Sequence, residues 1–477
     1  MNFTSLAYII FFLLVLVFFN LTPQKGKVWL LLLASYTFYI YLQPVYVLLL
    51  IVVTLSTYLI ARKIAKNTSE PQRGRLLFFG VIILLLPLFF FKYFGAINEL
   101  FTSLMNSFGI SLPSLKTSWL LPVGISYYTF MAIGYIVDVY NEEVEFEGNI
   151  GSTGLFLSFF PIILSGPIEK AGNLLPQFTS LRNSQYKDVI AGAKLILWGY
   201  FVKLCIADRL GIYVDDIYNN IPLHNGTTLL VATMLYAFQI YGDLGGYTLI
   251  AIGSARCIGI AVIPNFNRPF FATSMTEFWR RFHMSLIQWL RDYIFTPLSF
   301  YLRGWKMWGI VAALMLTFLI SGVWHGASLP FIVWGLLQGT YLSIEVLTQT
   351  QRTRLEQKFR LNKNPLYLMT CSLIVFLLFA FSEVFGKTVS VREAFTVITK
   401  IFTDVGVPYL YMTELSFGLI ALGILLLHEF MEEYFPGRIK LFKNSSIAVR
   451  YLTYLFVVFF IILLGEFSGQ KFLYFQF

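Results

Sequence analysis

Histidine is the side chain best suited to proton transfer near neutral pH, and the chain contains four of them. His224 lies in a polar loop and His428 at the end of an apolar stretch, so we interpret both as surface or interfacial residues. His325 lies in Ser321-Gly-Val-Trp-His-Gly-Ala-Ser328, between two strongly apolar stretches. An ionisable side chain there is costly and is a functional candidate by default. A neutral histidine that hydrogen-bonds between helices is the alternative, and the sequence leaves both open.

The remaining histidine, His283, lies in a charged and aromatic block at residues 277–292. If the block is helical, Glu277 and Arg281 share a face, as do Arg280 and His283. Its aromatic residues would anchor it at the membrane interface or in a funnel lined by protein. The spacing fits equally well an amphipathic helix that lies on the membrane surface.

The elements that must position these residues are membrane helices. Hydrophobic residues make up 57% of the 477-residue chain and charged residues 13%, against roughly a quarter in a soluble domain. Apolar blocks approach the length of about 20 residues that a spanning helix needs. We predict an all-α, polytopic protein with about 11 spans. Spans are expected near 4–20, 28–43, 44–61, 76–95, 118–138, 306–323, 329–347, 366–383, 413–430 and 448–466, with further apolar stretches near 153–167, 188–207 and 227–262.

The distribution of charge predicts the orientation of the chain. Lys and Arg cluster in three short loops, at residues 62–75, 352–363 and 438–443, which the positive-inside rule makes cytoplasmic. This orientation leaves the N-terminus and the C-terminal tail outside. No loop combines a long basic run with flanking aromatic residues, so nucleic-acid binding is not expected. The three cysteines are scattered and predict neither a metal site nor a disulfide.

Residues 263–304 mix arginines, prolines and aromatics and cannot form a simple lipid-facing helix. Such a segment survives at membrane depth only where protein buries it or water reaches it. We see no internal repeat and predict one integral-membrane domain over 1–477. A transporter or flippase would be expected to show corresponding broken segments in two halves, whereas the polar, proline-rich section occurs once.

Five segments carry a recognisable pattern, in this order along the chain: Leu121–Phe130 with Asp138–Tyr140, Phe159–Pro167, Gln239–Gly253, Glu277–Asp292 and Trp324–Gly326. Together they resemble the bacterial branch of the membrane-bound O-acyltransferase family, near the alginate and peptidoglycan O-acetyltransferase membrane subunits. The resemblance covers roughly residues 25–340, as a core, and the extreme C-terminus; helices and an outer aromatic tail would follow at 366–477.

The resemblance implies roles for particular residues within a fold whose re-entrant or interfacial segments surround a central funnel. His325 matches the essential intramembrane histidine and would remove the proton of the acceptor hydroxyl, with His283 as a second functional position. Tyr474, in the aromatic C-terminus, would hold the acyl group covalently during its passage; an interfacial aromatic belt is the alternative. The donor-binding positions implied are Arg280, Arg281, Trp324 and Asp243.

The function implied is transfer of acetyl from cytoplasmic acetyl-CoA across a bacterial inner or plasma membrane, for O-acetylation of an extracellular or cell-wall polysaccharide. No bound cofactor and no metal is implied. A separate extracytoplasmic partner of the SGNH type would complete the transfer. D-alanyl transfer from a carrier protein toward teichoic acid is the enzymatic alternative, and a transporter or flippase is the alternative of another class.

Overall fold

The computed structural model describes residues 2–110, 120–164, 166–410, 412–437 and 446–467. These residues form helices, turns and loops and contain no β-strand. The chain divides into two compact units, Met1–Leu195 with Ile250–Ile263 and Ile196–Leu249 with Pro264–Phe477. The prediction of an all-α protein is therefore confirmed.

Ten helices make up the chain to residue 257, and nine follow. The first ten are α1 (Leu6–Leu21), α2 (Lys27–Leu42), α3 (Val47–Lys66), α4 (Glu70–Ser107), α5 (Ile125–Tyr140), α6 (Ile150–Ser158), α7 (Ala171–Thr179), α8 (Tyr186–Tyr200), α9 (Asp208–Asn219) and α10 (Gly226–Cys257). The others are α11 (Met275–Arg281), α12 (Met284–Leu290), α13 (Thr296–Tyr301), α14 (Met307–His325), α15 (Leu329–Lys358), α16 (Pro365–Lys387), α17 (Val391–Thr403), α18 (Met412–Tyr434) and α19 (Ile447–Leu464). This number of nineteen helices refers to the described part of the chain.

Eight helical stretches within the described ranges are long and apolar enough to cross a membrane. The predicted number of about 11 spans is therefore approximate. Several of the expected spans form helices that are too short to cross the membrane by this length criterion. Helices α1, α2 and α5 have 16 residues each. The apolar stretch at 153–167 forms only the nine-residue helix α6, after which the chain turns. The protein is a multi-pass membrane protein.

In the first unit, α3 packs against both α4 and α5. Gly80 makes the contact between α3 and α4 close, since a Cβ there would lie 2.8 Å from Ile60 Cγ2. Glu169 binds a later part of the same unit, because its carboxylate accepts hydrogen bonds from the backbone N–H of Ile263 (2.6 Å) and from the Asn173 amide (2.7 Å). The hydrogen bond to Ile263 joins two segments that are 94 residues apart in the sequence.

In the second unit, the polar section predicted to be irregular is broken into short pieces. Helices α11 and α12 have seven residues each, and a π-helical turn at Arg291–Phe295 leads into α13. A second π-helical turn at Phe201–Ala207 joins α8 to α9. Helices α14 and α15 then form a tightly packed hairpin. The expectation that 263–304 is not a simple spanning helix is confirmed.

Candidate active site

The position of His325 is fixed by a backbone contact between α14 and α15. A Cβ at Gly322 would lie 2.4 Å from the carbonyl oxygen of Phe331, and a Cβ at Gly335 would lie 2.4 Å from that of Phe318. Only glycine permits such an approach, so the two helix backbones touch at these positions. His325 is the last residue of α14, three residues after Gly322. The hairpin therefore places the imidazole at its closed end.

The His325 imidazole lies between two indole rings. Its centroid is 4.7 Å from the ring of Trp324 and 5.0 Å from that of Trp334, both in edge-to-face geometry. Phe331 stacks more distantly, at 6.4 Å. Edge-to-face pairs of this kind favour one ring orientation. The side chain is only partly buried, so a reactant can reach it.

His283 lies at a break between two helices. Phe282 is extended, and His283 itself has φ 48° and ψ 48°, in the left-handed region. A non-glycine residue there is uncommon and is held by its surroundings. Asn265 provides that support, since its backbone carbonyl accepts from Met284 N–H (2.9 Å) and its side chain accepts from Ser285 N–H (3.1 Å).

This break corrects one expectation from the sequence. Glu277 and Arg281 do share a helical face and form an ion pair at 2.5 Å. Arg280 and His283 do not, because α11 ends at Arg281 and the chain reverses its local twist before α12. His283 points into the protein, where it is almost fully buried, whereas Arg280 is exposed.

Burial sets the charge of His283. The residue lies outside the candidate membrane spans, and desolvation lowers its pKa from 6.5 to about 4. Burial removes the solvent that would stabilise a charged imidazole, and this lowers the pKa. His283 is therefore neutral at pH 7. A neutral imidazole can still donate one hydrogen bond and accept another.

Both histidines line one cavity of about 50 Å³ in the second unit. Its wall is mainly aromatic and aliphatic, with few polar side chains among them. The lining residues are Tyr236, Ile240, Leu244, Trp279, Phe282, His283, Leu286, Ile287, Ser321, His325, Phe331, Trp334, Phe379, Glu383 and Gly386. The sequence thus places its two candidate histidines, 42 positions apart, around the same small space.

The four predicted donor-binding residues do not line this cavity. Arg281 binds two carboxylates, those of Glu277 at 2.5 Å and Glu433 at 3.0 Å. Arg280 is exposed and forms no ion pair with the described residues. Trp324 contacts the ring of His325 from outside the cavity. These placements give Arg281 a structural environment and leave the Arg280 guanidinium accessible to a ligand.

Asp243, the fourth of them, lies in a buried charge cluster. Lys203 Nζ is 2.5 Å from Asp243 Oδ1 and 2.5 Å from Asp208 Oδ1. A Cβ at Gly246 would lie 2.8 Å from Lys203 N, so glycine lets α10 approach the π-helical turn at Phe201–Ala207 and brings the cluster together. The next residue, Leu244, does line the cavity.

Tyr474, the predicted acyl carrier, lies outside the described residues. The cavity contains two residues that the sequence reading did not single out, Glu383 and Trp334. Glu383 is the only carboxylate in the apolar stretch at 366–385, and that isolation is a signal that could have identified it. Trp334 had no such signal, because a tryptophan in an apolar helix is ordinarily a packing residue.

The cavity brings together a partly buried imidazole, a neutral buried imidazole and a carboxyl group, in a mainly apolar wall. A positioned imidazole can take a proton from a hydroxyl group and later return it to a leaving group. The arrangement suits group transfer to an alcohol. No group of three His, Cys, Asp or Glu side chains that could hold a metal occurs in the described ranges.

Comparison with known proteins gives a consistent result. Residues 154–384 match the family described as "MBOAT, membrane-bound O-acyltransferase family". The chain is 35% identical over 351 residues to a probable alginate O-acetylase of Pseudomonas putida, covering 72% of this chain and 70% of that protein. It is 30% identical over 350 residues to a peptidoglycan O-acetyltransferase of Helicobacter pylori, covering 68% and 64%. A teichoic acid D-alanyltransferase of Streptococcus thermophilus is 30% identical over 233 residues, covering 46% and 56%.

The matched region spans about two thirds of the length of the alginate O-acetylases, namely 66% of the protein from Pseudomonas syringae and 70% of that from Pseudomonas putida. The family match includes both histidines and Glu383, which lie within residues 154–384. All three of these cavity residues therefore belong to the part of the chain that carries the similarity.

Proposed function

The chain belongs to the membrane-bound O-acyltransferase family of acyltransferases, and on that premise we propose that it passes an acetyl group from cytoplasmic acetyl-CoA across the membrane for O-acetylation of a cell-surface polysaccharide. The convergence of His325 and His283 on one small, mainly apolar cavity is the observation that carries the proposal. Family membership also favours an enzyme over the transporter alternative, which has no comparable support.

In the proposed reaction, His325 acts as general base. Its imidazole removes the proton of the acceptor hydroxyl, and the oxygen attacks the carbonyl carbon of the acetyl thioester. A C–O bond forms, the C–S bond breaks, and the proton passes from His325 to the departing sulfur. General-base catalysis of this kind contributes about 10²- to 10⁴-fold in rate. His283, neutral at pH 7, would hydrogen-bond to the donor or to the developing negative charge.

The size of the cavity supports a small acyl group. A cavity of about 50 Å³ has room for a small group such as acetyl. The remainder of the donor would lie outside it. Arg280, whose guanidinium is exposed, is the proposed contact for the phosphates of coenzyme A, since arginine recognises phosphate well.

Completion of the transfer requires two further components in this proposal. The acceptor hydroxyl of this first step would be the phenol of Tyr474, with His325 as its base, and Tyr474 would then carry the acyl group outward, which would split the vectorial transfer into two steps. A separate extracytoplasmic acetyltransferase of the SGNH type would deliver the group to the polysaccharide. The relatives named for alginate and peptidoglycan acetylation support a polysaccharide acceptor.

D-alanyl transfer remains the second candidate, favoured by the similarity to teichoic acid D-alanyltransferases. The donor would then be a D-alanyl carrier protein, and the acyl group would carry an ammonium. The same variants can distinguish the donors, because each donor releases a different product.

The test is turnover of labelled acetyl-CoA by the purified full-length protein, with His325→Ala as the variant. His224→Ala is the matched control, since His224 lies in a loop outside the cavity. All proteins are compared at equal amounts with the same size-exclusion profile. We expect wild type and His224→Ala to release coenzyme A thiol equally, and His325→Ala to lose about 10²-fold or more. Mass spectrometry of the C-terminal peptide then tests Tyr474.

Equal turnover by His325→Ala and wild type would refute the general-base role. If neither consumes acetyl-CoA while wild type consumes a D-alanyl carrier protein, the acetyl proposal fails and the D-alanyl alternative replaces it.

A further inference from the structure

Among the described residues that line the cavity, Glu383 is the only carboxylate, and its hydrogen-bond partner is an indole. Trp334 Nε1–H donates a hydrogen bond of 2.8 Å to Glu383 Oε1, and both side chains are buried. No described Lys, Arg or His lies within ion-pair distance of Glu383. A buried polar group of this kind depends on the hydrogen bond that it has. The pair joins α15 to α16.

The same indole contacts the candidate base. The ring centroid of Trp334 is 5.0 Å from that of His325, at an interplanar angle of 75°. Trp324 lies on the imidazole at 4.7 Å, so the His325 ring has an indole on two sides. Trp324 is its neighbour in sequence, whereas Trp334 belongs to the next helix. The orientation of Trp334 therefore determines how well that second contact is kept.

The hydrogen bond to Glu383 is what sets the orientation of the Trp334 indole. An indole has a single donor, Nε1–H, and no acceptor. Trp279 also packs edge-to-face on Trp334, at 6.0 Å, but such a ring contact permits more sliding than a hydrogen bond of 2.8 Å. Glu383 is thus the polar anchor of the chain of contacts Glu383–Trp334–His325.

We propose that Glu383 is a positioning residue, which holds the Trp334 indole against the imidazole of His325 through the Trp334–Glu383 hydrogen bond. This inference rests on the proposed function only in that His325 is taken as the base. It requires an acceptor atom at position 383 and does not require a negative charge or a transferable proton there. Glutamine supplies such an acceptor, and leucine, which is similar in size, does not.

The test compares Glu383→Gln, Glu383→Leu and Trp334→Phe in the full-length protein. Glu429 provides a matched control, because its carboxylate is also buried and accepts a hydrogen bond, from Tyr241, outside the cavity. Glu429→Gln and Glu429→Leu therefore report the general effect of replacing a buried glutamate. Two readouts are used: kcat and KM for acetyl-CoA, and the rate of carbethoxylation of His325 by diethyl pyrocarbonate, followed by mass spectrometry.

We expect Glu383→Leu to lower kcat about tenfold with KM changed by less than about twofold, as the loss of one buried hydrogen bond would produce. Glu383→Gln should keep kcat within about threefold of wild type, since the acceptor remains. Carbethoxylation of His325 should become about fivefold faster in Glu383→Leu and in Trp334→Phe, but not in Glu383→Gln. The double variant Trp334→Phe with Glu383→Leu should be no slower than the slower single variant, because both remove the same bond.

An equal loss of kcat in Glu383→Gln and Glu383→Leu would overturn the proposal, since it would indicate that the charge or proton matters. Unchanged carbethoxylation in Glu383→Leu, or additive losses in the double variant, would overturn it as well. Carbethoxylation needs no turnover, so the effect of position 383 on His325 through Trp334 is tested even if acetyl-CoA is not the donor. Failure of the proposed function instead appears as no turnover by wild type.

Discussion

Asp243 lies 2.5 Å from the ammonium nitrogen of Lys203, and both side chains are buried. Asp208 lies at the same distance on another side of the ammonium, and the ring of Tyr247 lies 5.2 Å away. Two carboxylates thus share one cation, next to Leu244 in the cavity wall. The family resemblance implied donor binding for Asp243, and the structure gives it an ion-pair partner 40 positions away.

Removal of any one member of this cluster should strongly destabilise the protein, and the size of the effect should depend on which member is removed. Lys203→Met leaves two buried carboxylates without a cation, whereas Asp243→Asn leaves the Lys203–Asp208 pair. Breaking a buried pair costs about 3–5 kcal/mol of unfolding free energy. We expect thermal unfolding in detergent to begin at a lower temperature in both variants, and lower in Lys203→Met than in Asp243→Asn. Identical midpoints in these variants and wild type would contradict the interpretation.

The contact between α14 and α15 should not tolerate a methyl group. Gly322→Ala places a Cβ only 2.4 Å from the Phe331 carbonyl oxygen, and such overpacking costs about 1–3 kcal/mol. We expect a lower thermal midpoint and slower turnover, since the same contact positions His325. Gly423→Ala is the control: Gly423 lies in α18 with no atom within 4 Å of an added Cβ. It should keep activity, and a loss equal to that of Gly322→Ala would refute the model of a specific contact.

Burial of neutral His283 predicts a pH dependence of stability. Its pKa is lowered in the folded state from 6.5 to about 4, so between these values the unfolded state binds more protons. The contribution to stability is therefore present above pH 6.5 and is lost as the pH falls through about 4. The full difference corresponds to about 3 kcal/mol. His283→Asn, which tolerates the left-handed conformation, should show a smaller fall of the thermal midpoint between pH 7 and pH 4.5.

The two neighbouring arginines should separate stability from donor binding. Arg281 binds Glu277 and Glu433, so Arg281→Gln should lower the unfolding free energy by about 1.5–3 kcal/mol. Arg280→Gln removes an exposed guanidinium and should leave the thermal midpoint unchanged. If Arg280 contacts the donor phosphates, its loss raises KM for acetyl-CoA without a comparable change in kcat. A lower thermal midpoint in Arg280→Gln together with a raised KM in Arg281→Gln would contradict this division of roles.

Much of the helical framework could be predicted from the sequence, because apolar length is read directly from residue type. The polar section at 263–304 was also correctly set apart, since arginine and proline are incompatible with a lipid-facing helix. The break at His283 could not be predicted, because a left-handed histidine depends on support from Asn265, which lies 18 positions earlier and in a different segment.

Contacts between residues that are distant in the sequence could not be predicted either. The pairing of Asp243 with Lys203 arises from the close approach that Gly246 permits, and no periodicity in the sequence encodes it. The two histidines were identified from their sequence surroundings and from the family resemblance, whereas their meeting in one cavity depends on the tertiary structure. Glu383 was identifiable in principle, as an isolated carboxylate in an apolar run, and its hydrogen bond to Trp334 was not.

The contact at Gly322 and Gly335 also bears on redesign of the cavity. Because two backbones touch there, the location of His325 depends little on the side chains elsewhere in the cavity wall. Leu244 and Leu286 belong to that wall and come from other helices. Shortening them would enlarge the cavity while His325 stays in register with its hairpin. If the cavity holds the acyl group, as proposed, then acyl-chain selectivity and base placement would be separable traits, which evolution or an engineer could alter one at a time.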